Sequence, residues 1–503
     1  MASGGPSSRH KAIFIVWTTG FIFCFIVSNM ITNITRRLWL SLFLVACCLA
    51  EPAAVRPDAE GPRAGPVPRR LVLVLDGVPY RTVNALRAEG RFRAFRDPAR
   101  MISTFPSLTN PAMIEILGAE DSPGYEDHYF DRERNRMVGG IPDRMRGDKF
   151  VRGTFRESFD YHGPAFVGSL AYVGAPLGAM IVAEADLAGF KRAFHAARAP
   201  VFVGYIGETD SLAHLGGEWA LKSFLRRLDR TVEELIKESG GELEVEMFSD
   251  HGNRFGWHRR VDLGGAITRA GLVTAKKLGA PRAVVMPQYG LVGSAVLFTA
   301  EENRAPLAEA CARVEGVDFA AYPVDGAVEV VSRHGRARIS RSGERYRYEA
   351  VSGDPLALNP AVERLHAAGA LDEAGFAGAA DWLKAAGDHH YADPLRRIFD
   401  SFHAHVRSRA DVIVSLEDGY LTGNPVMGLF VWMRATHGNL RRGETEGFAM
   451  STRQELGAAV RGHELRRLFK LDAAEEAESF FGRSGHCRTG PALARALTVT
   501  GSP

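Results

Sequence analysis

The sequence predicts an α/β fold with a mostly parallel central sheet, helices on both faces, and a small α+β subdomain set into it. Three observations carry this. Four continuous apolar runs end in acidic residues: RLVLVLDGV (70–78), APVFVGYIGETD (199–210), LEVEMFSDHG (243–252) and ADVIVSLEDGY (410–420). Short runs without polar alternation suit strands buried on both faces. Helical patterns lie between them, clearest over 218–238, where Leu221, Phe224, Leu225, Leu228, Val232 and Leu235 keep the helical period. Alternation of such strands and helices implies a parallel sheet covered on both sides. Over 281–351 the rhythm changes: 293–324 reads strand, helix, strand, and 328–351 reads as hairpins with polar–apolar alternation.

The ends of the chain are different in kind. Residues 12–28 are apolar throughout, at the lower limit for a spanning helix, and a shorter apolar segment, 38–50, follows Arg36 and Arg37. Basic residues, a short apolar run, small residues and then a Pro-rich stretch have the layout of an export signal. LVAC (44–47) resembles a bacterial lipobox with Cys47 as the lipidated residue, and Met30 would then be the start. A signal anchor or a hairpin of two spanning helices is the alternative, and the hairpin leaves the main body in the cytoplasm. The expected organisation is a leader or anchor over 1–50, a linker over 51–68, a catalytic α/β domain over 69–280 and 352–475, the inserted subdomain over 281–351, and a flexible tail over 476–503. The expected location is exported, periplasmic or cell-surface, tethered to the membrane.

With 503 residues, 46% hydrophobic and 24% charged, the chain has globular composition and length enough for a large core. Its 62 Lys plus Arg against 59 Asp plus Glu give a formal +3, which speaks against a nucleic-acid footprint. Of five cysteines, Cys24, Cys47 and Cys48 lie in the leader; Cys311 and Cys487 allow one disulfide or two free thiols.

Ligands of open α/β sheets collect outside the carboxyl ends of the strands. There each apolar run presents Asp76, Asp210, Asp250 with His251, or Asp418. Any one of these reads as a turn former. Together they form a set of carboxylates whose mutual repulsion calls for a cation. In DSLAH, Asp210 and His214 are spaced i, i+4 and share a helix face. Mixed Asp/His ligation suits zinc, with manganese or iron as alternatives, and the scarcity of cysteine in the body favours a catalytic over a structural site. In MISTFPSLTNP (101–111), Ser103 or Thr104 reads first as the cap of a helix that begins near Pro106.

VLDGV, TFPS, DSLAH, FSDHGN, THGN (436–439) and GFAM (447–450) follow one another in an order that resembles the alkaline phosphatase superfamily, nearest its nucleotide pyrophosphatase/phosphodiesterase branch. The resemblance runs from about residue 70 to about 455. It implies an alkaline phosphatase-like fold and a phosphoester hydrolase with two divalent metal ions. Asp210, His214 and His437 would hold one, and Asp76, Asp250, His251 and Thr104 the other. It implies that Thr104 is the nucleophile and passes through a covalent phospho-threonine. The branch also has a downstream Asn at the phosphate; SPGYEDHYFD (122–131) has none, so Asp127 or His128 stands there, or Asn110 serves instead. His258, His389 and His390 compete with His437 for the third ligand place. A sulfatase lacks support, since no Cys-x-Pro-x-Arg occurs. A phosphomonoesterase or phosphonate hydrolase of the superfamily, and a non-catalytic metal-binding surface protein, remain as alternatives.

Overall fold

The computed structural model describes residues 68–140, 158–163, 175–288, 290–425 and 427–471. The leader with Cys47, the linker up to residue 67, Cys487 and the 476–503 tail lie outside the described residues. Among the described residues no helix is long and apolar enough to cross a membrane.

Three of the four apolar runs, at 70–78, 199–210 and 243–252, form the centre of a seven-stranded sheet. In chain order its strands are β1 (Arg70–Leu75), β2 (Ala99–Ile102), β3 (Tyr161–His162), β4 (Val201–Ile206), β5 (Glu244–Ser249), β6 (Glu446–Ser451) and β7 (Ala459–Arg461). They lie side by side as β7-β2-β6-β5-β1-β4-β3, and every pairing is parallel except the two made by β6. Continuous hydrophobicity has a plain cause here. Leu71, Leu73 and Leu75 enter one core with helices α1 (Tyr80–Ala88), α3 (Ala175–Ala196) and α4 (Glu208–Glu238). Val72 and Val74 enter the opposite core with α2 (Thr109–Leu117) and the helix Gly462–Leu468. Each fully buried Leu or Val contributes about 1.5–3 kcal/mol of transfer free energy, so neither face of β1 tolerates a polar residue.

A second seven-stranded sheet is antiparallel throughout, in the order Ser294–Leu297, Val412–Leu416, Val317–Val324, Ala327–Ser332, Gly335–Ser342, Arg345–Gly353, Ala377–Gly378. The strand–helix–strand order over 293–324 and the hairpins after it are present, with the helix at Arg304–Ala312. The run at 410–420 is a strand, but it does not join the parallel sheet. It lies between Ser294–Leu297 and Val317–Val324, buried along its whole length. The reason is physical: a strand buried on both faces has the same hydrophobic signature in any sheet, and the signature names no partner. Asp418, just beyond it, meets Arg254 at 3.6 Å.

The helix read over 218–238 starts ten residues earlier, at Glu208, and is broken at Gly217 (φ 72°, ψ −168°). That places Asp210 and His214 on a first, separate segment of about two and a half turns directly after β4.

Candidate active site

β5, β1 and β4 are neighbours in register, with Leu75 opposite both Ile206 and Ser249. Their carboxyl ends therefore deliver Asp76, Asp250 with His251, and the start of α4 to one place. Gly77 makes the approach close enough. It has φ +63°, its N–H donates to Asp250 Oδ1 at 3.1 Å, and a Cβ there would lie 2.4 Å from Asp210 Oδ1. Only glycine fits.

Six predicted ligands meet in this place. Ligand atoms of Asp76, Asp250 and His251 lie within 4.8 Å of one another, and so do those of Asp210, His251 and His437. His214 Nε2 is 2.9 Å from Asp210 Oδ2, and the His251 and His437 rings stack at 4.0 Å. Each imidazole is locked in the same way. Nδ1–H of His214 donates to Ala435 O (2.8 Å), that of His251 to Gly252 O (2.9 Å), and that of His437 to Ser107 O (2.7 Å). A carbonyl only accepts, so Nδ1 carries a proton and Nε2 is the ring atom turned to the carboxylates, the orientation typical of metal-bound histidine. The carboxylates are oriented too: Asn253 Nδ2 donates to Asp210 Oδ1 (2.8 Å), and Tyr205 Oη donates to Asp76 Oδ2 (2.5 Å).

The electrostatics of this set are unsatisfied without a cation. Asp250 and His251 are fully buried, and Asp250 Oδ2 has no hydrogen-bond partner among the described residues. Burial pushes the Asp250 carboxyl up to about 7, against the pull of His251. Burial opposes the charged form of His251, yet Asp250 and Asp76 raise it to about 10. Burial, then the neighbouring His251, drives His437 down to about 3. For Asp210 burial acts upward, but His214 and His437 hold it well below the carboxylate range. Three carboxylates and three Nε2 lone pairs in one buried space are a donor set that fits divalent ions of the zinc class. His258, His389 and His390 stand outside both clusters: the His389 and His390 rings pack tilted against Tyr391 beside the second sheet, and burial pushes His258 down to about 4.

Besides Tyr205, the hydroxyl that reaches these side chains is that of Thr109, while Thr104, the nucleophile expected from the resemblance, bonds within its own loop. Thr109 Oγ1 donates to Asp76 Oδ1 at 3.3 Å and lies 3.3 Å from His251 Nε2. Thr104 Oγ1 instead donates to Pro106 O at 3.1 Å. The cause is where the helix begins. Residues 103–108 are not helical: Arg397, buried on the helix Pro394–His403, donates to Thr104 O (2.8 Å) and Ser107 Oγ (3.1 Å). Ser107 N–H donates to Gly438 O. These bonds hold the loop against the 437–445 segment, and α2 starts only at Thr109. A cue existed in the sequence: Pro111 suits the first turn of a helix, which makes Thr109, not Thr104, the starting hydroxyl. Asn110 follows it and donates weakly to Asp127 Oδ1 (3.5 Å). His128 is half-buried on the strand His128–Asp131 beyond Asp127, and burial lowers it.

No protein-family model matches the chain, and no curated protein does. Solved structures that are similar include human ectonucleotide pyrophosphatase/phosphodiesterase 5, at 11% identity over 80% of this chain and 93% of its own, TM-score 0.43. Another is phosphonoacetate hydrolase from Sinorhizobium meliloti in complex with phosphonoformate, at 12% identity over 84% and 98%, TM-score 0.42. A third is an inactive variant of the murine ectonucleotide enzyme in complex with AMP, at 12% identity over 80% and 94%, TM-score 0.44.

Proposed function

We propose that the chain is a hydrolase of phosphate esters of the alkaline phosphatase superfamily, acting on phosphodiesters or nucleotide pyrophosphates ahead of monoesters, with Thr109 as nucleophile. The observation that carries this is the Thr109 hydroxyl, held 3.3 Å from both Asp76 Oδ1 and His251 Nε2 at the edge of two carboxylate–imidazole clusters. Asp210, His214 and His437 would hold one ion, and Asp76, Asp250 and His251 with Thr109 the other. When bound, two zinc ions would polarise the phosphoryl oxygens and favour the alkoxide of a neighbouring hydroxyl.

The chain's own groups account for the rest. Asp76 Oδ1 accepts the Thr109 proton. Thr109 Oγ1 forms the bond to phosphorus as the ester oxygen leaves with its electron pair, giving phospho-threonine and an alcohol or phosphate leaving group. Water then attacks phosphorus, Thr109 Oγ1 leaves with its electron pair and takes back the proton held on Asp76, and the proton that water gives up goes to the departed ester oxygen, releasing the phosphate product. The first turn of α2 has N–H groups without intrahelical partners, suited to phosphate oxygens, and Asn110 stands beside them. The leader's layout supports export and a membrane tether through Cys47 or an N-terminal anchor.

Turnover of aryl phosphate mono- and diesters by the zinc-loaded protein tests the reading. Thr109→Ala is expected to lose roughly a thousandfold or more in kcat/KM while still binding zinc, with Thr104→Ala within an order of magnitude of wild type. The reverse pattern returns the nucleophile to Thr104. Stoichiometric zinc with no turnover of any ester assigns the chain a binding role.

A further inference from the structure

Of the six tryptophans, two lie in the leader and Trp382 is buried. The other three, Trp219, Trp257 and Trp432, are 71%, 80% and 75% exposed. Tryptophan is rarely left so open, and three in one neighbourhood make a surface built for contact. All three surround Arg434. Trp432 precedes it by two residues. Gly256 N–H donates to Arg434 O at 3.0 Å, with Trp257 next in the chain. Gly217, two residues before Trp219, packs so closely that a Cβ on it would lie 3.4 Å from the Arg434 Cβ. The Trp257 and Trp432 rings meet edge to face, 5.9 Å apart at 75°, and form an open notch. Arg434 itself is exposed, and among the described residues its guanidinium has no ion pair.

This surface adjoins one half of the metal-type cluster. Arg434 N–H donates to His214 O, and His214 Nδ1–H donates to Ala435 O, each at 2.8 Å. Chain reach alone keeps Trp432 within about 7 Å of Arg434, Cα to Cα. An in-line displacement by Thr109, which stands at the Asp76–His251 end, sends the leaving oxygen toward Asp210, His214 and His437. The backbone bond between Arg434 and His214 brings the segment that carries Trp432 next to that group.

We infer that Trp257 and Trp432, with Arg434 beside them, form the recognition site for the leaving group, and that this group is a flat aromatic ring bearing a negative charge. The inference rests on the phosphoesterase reading above. The indoles supply ring faces and edges for stacking, and the free guanidinium supplies the counter-charge.

The test compares two methyl phosphodiesters of matched leaving-group acidity, one with a 4-carboxyphenyl and one with a fluoroalkyl leaving group. Trp257→Ala and Trp432→Ala are each expected to lower kcat/KM for the carboxyphenyl ester roughly 5- to 10-fold and to leave the fluoroalkyl ester within twofold. Arg434→Gln is expected to lower kcat/KM for the carboxyphenyl ester by a similar factor and to leave the fluoroalkyl ester within twofold. Exposed indoles leave no cavity when removed, so unchanged thermal melts accompany these results. An equal fall on both esters, or none on either, overturns the inference. So does loss of binding to anionic vesicles in the same variants with the ester ratio unchanged, which assigns the surface to a membrane. If zinc-loaded wild type hydrolyses no ester, the phosphoesterase reading fails by itself. Quenching of indole fluorescence by 4-carboxyphenyl phosphate then decides the aromatic site: quenching lost in Trp257→Ala upholds it, and no quenching in wild type ends it.

Discussion

Thr104 and Thr109 are chemically the same group, and what separates them is the backbone on which each is held. Thr104 sits in a loop whose Thr104 carbonyl and Ser107 hydroxyl are claimed by Arg397, whereas Thr109 opens α2. Nothing near 104 in the sequence announces that an arginine almost three hundred positions away will occupy that loop. Glu444 shows a similar long-range effect on charge. It is fully buried: Oε2 accepts from Asn439 N–H at 3.0 Å, and Oε1 has no hydrogen-bond partner among the described residues. Burial pushes its carboxyl up to about 8, against the Asn439 N–H. Because the folded-state value is above the ordinary 4.5, the native protein holds a proton that the unfolded chain gives up. Stability contributed by the neutral acid is thus complete below about pH 4.5 and is lost as pH rises toward 8, by about 1.4 kcal/mol per unit at most. Glu444→Gln keeps the acceptor for Asn439 and removes the titration. Urea unfolding at pH 5 and pH 8 is expected to show a decline in wild type that is smaller in the variant by a few kcal/mol. Parallel pH profiles for the two proteins would remove Glu444 from this account.

At the scale of elements, periodicity identified strands and helices well and their partners poorly. The runs at 70–78, 199–210 and 243–252 became β1, β4 and β5, side by side. The run at 410–420 went to the other sheet, because burial on two faces says nothing about which neighbours provide it. α4 carries the second lesson. Its 3.6-residue pattern is clear after Gly217, but Gly217 itself, at φ 72° and ψ −168°, lies in a region that essentially only glycine enters. The break turns the first segment so that His214 meets the 434–437 segment. A Cβ at Gly217 is strained and would also press on the Arg434 Cβ at 3.4 Å. Gly217→Ala is therefore expected to destabilise by about 1–3 kcal/mol. Since the same hinge sets His214, zinc affinity is expected to fall as well, measured by chelator competition. A variant with wild-type melting and wild-type zinc affinity would show that the hinge does not set the site.

For the whole molecule, the ligand set was legible where it follows from strand ends: Asp76, Asp250 and His251 sit directly after β1 and β5, and Asp210 with His214 is a local i, i+4 pair. His437 has no such local signal, and its place depends on Ser107 O receiving its Nδ1–H across 330 positions. Folding gathers these groups into a buried space suited to a cation, so an ion bound there would be thermodynamically linked to the fold. An ion that binds the native state alone adds about 2.7 kcal/mol at one hundred times its dissociation constant. Chelation is accordingly expected to lower the melting temperature by a few degrees, and zinc to restore it. Asp250 distinguishes this linkage from general charge effects. Its Oδ1 accepts from Gly77 and His251 N–H groups, which an Asn oxygen can replace, while its Oδ2, without a hydrogen-bond partner among the described residues, is costly without an ion and would be a ligand with one. Asp250→Asn is thus expected to have opposite signs in the two states, melting at or above wild type under chelator and below it in zinc. A variant whose zinc-induced rise equals that of wild type would take Asp250 out of the ligand set.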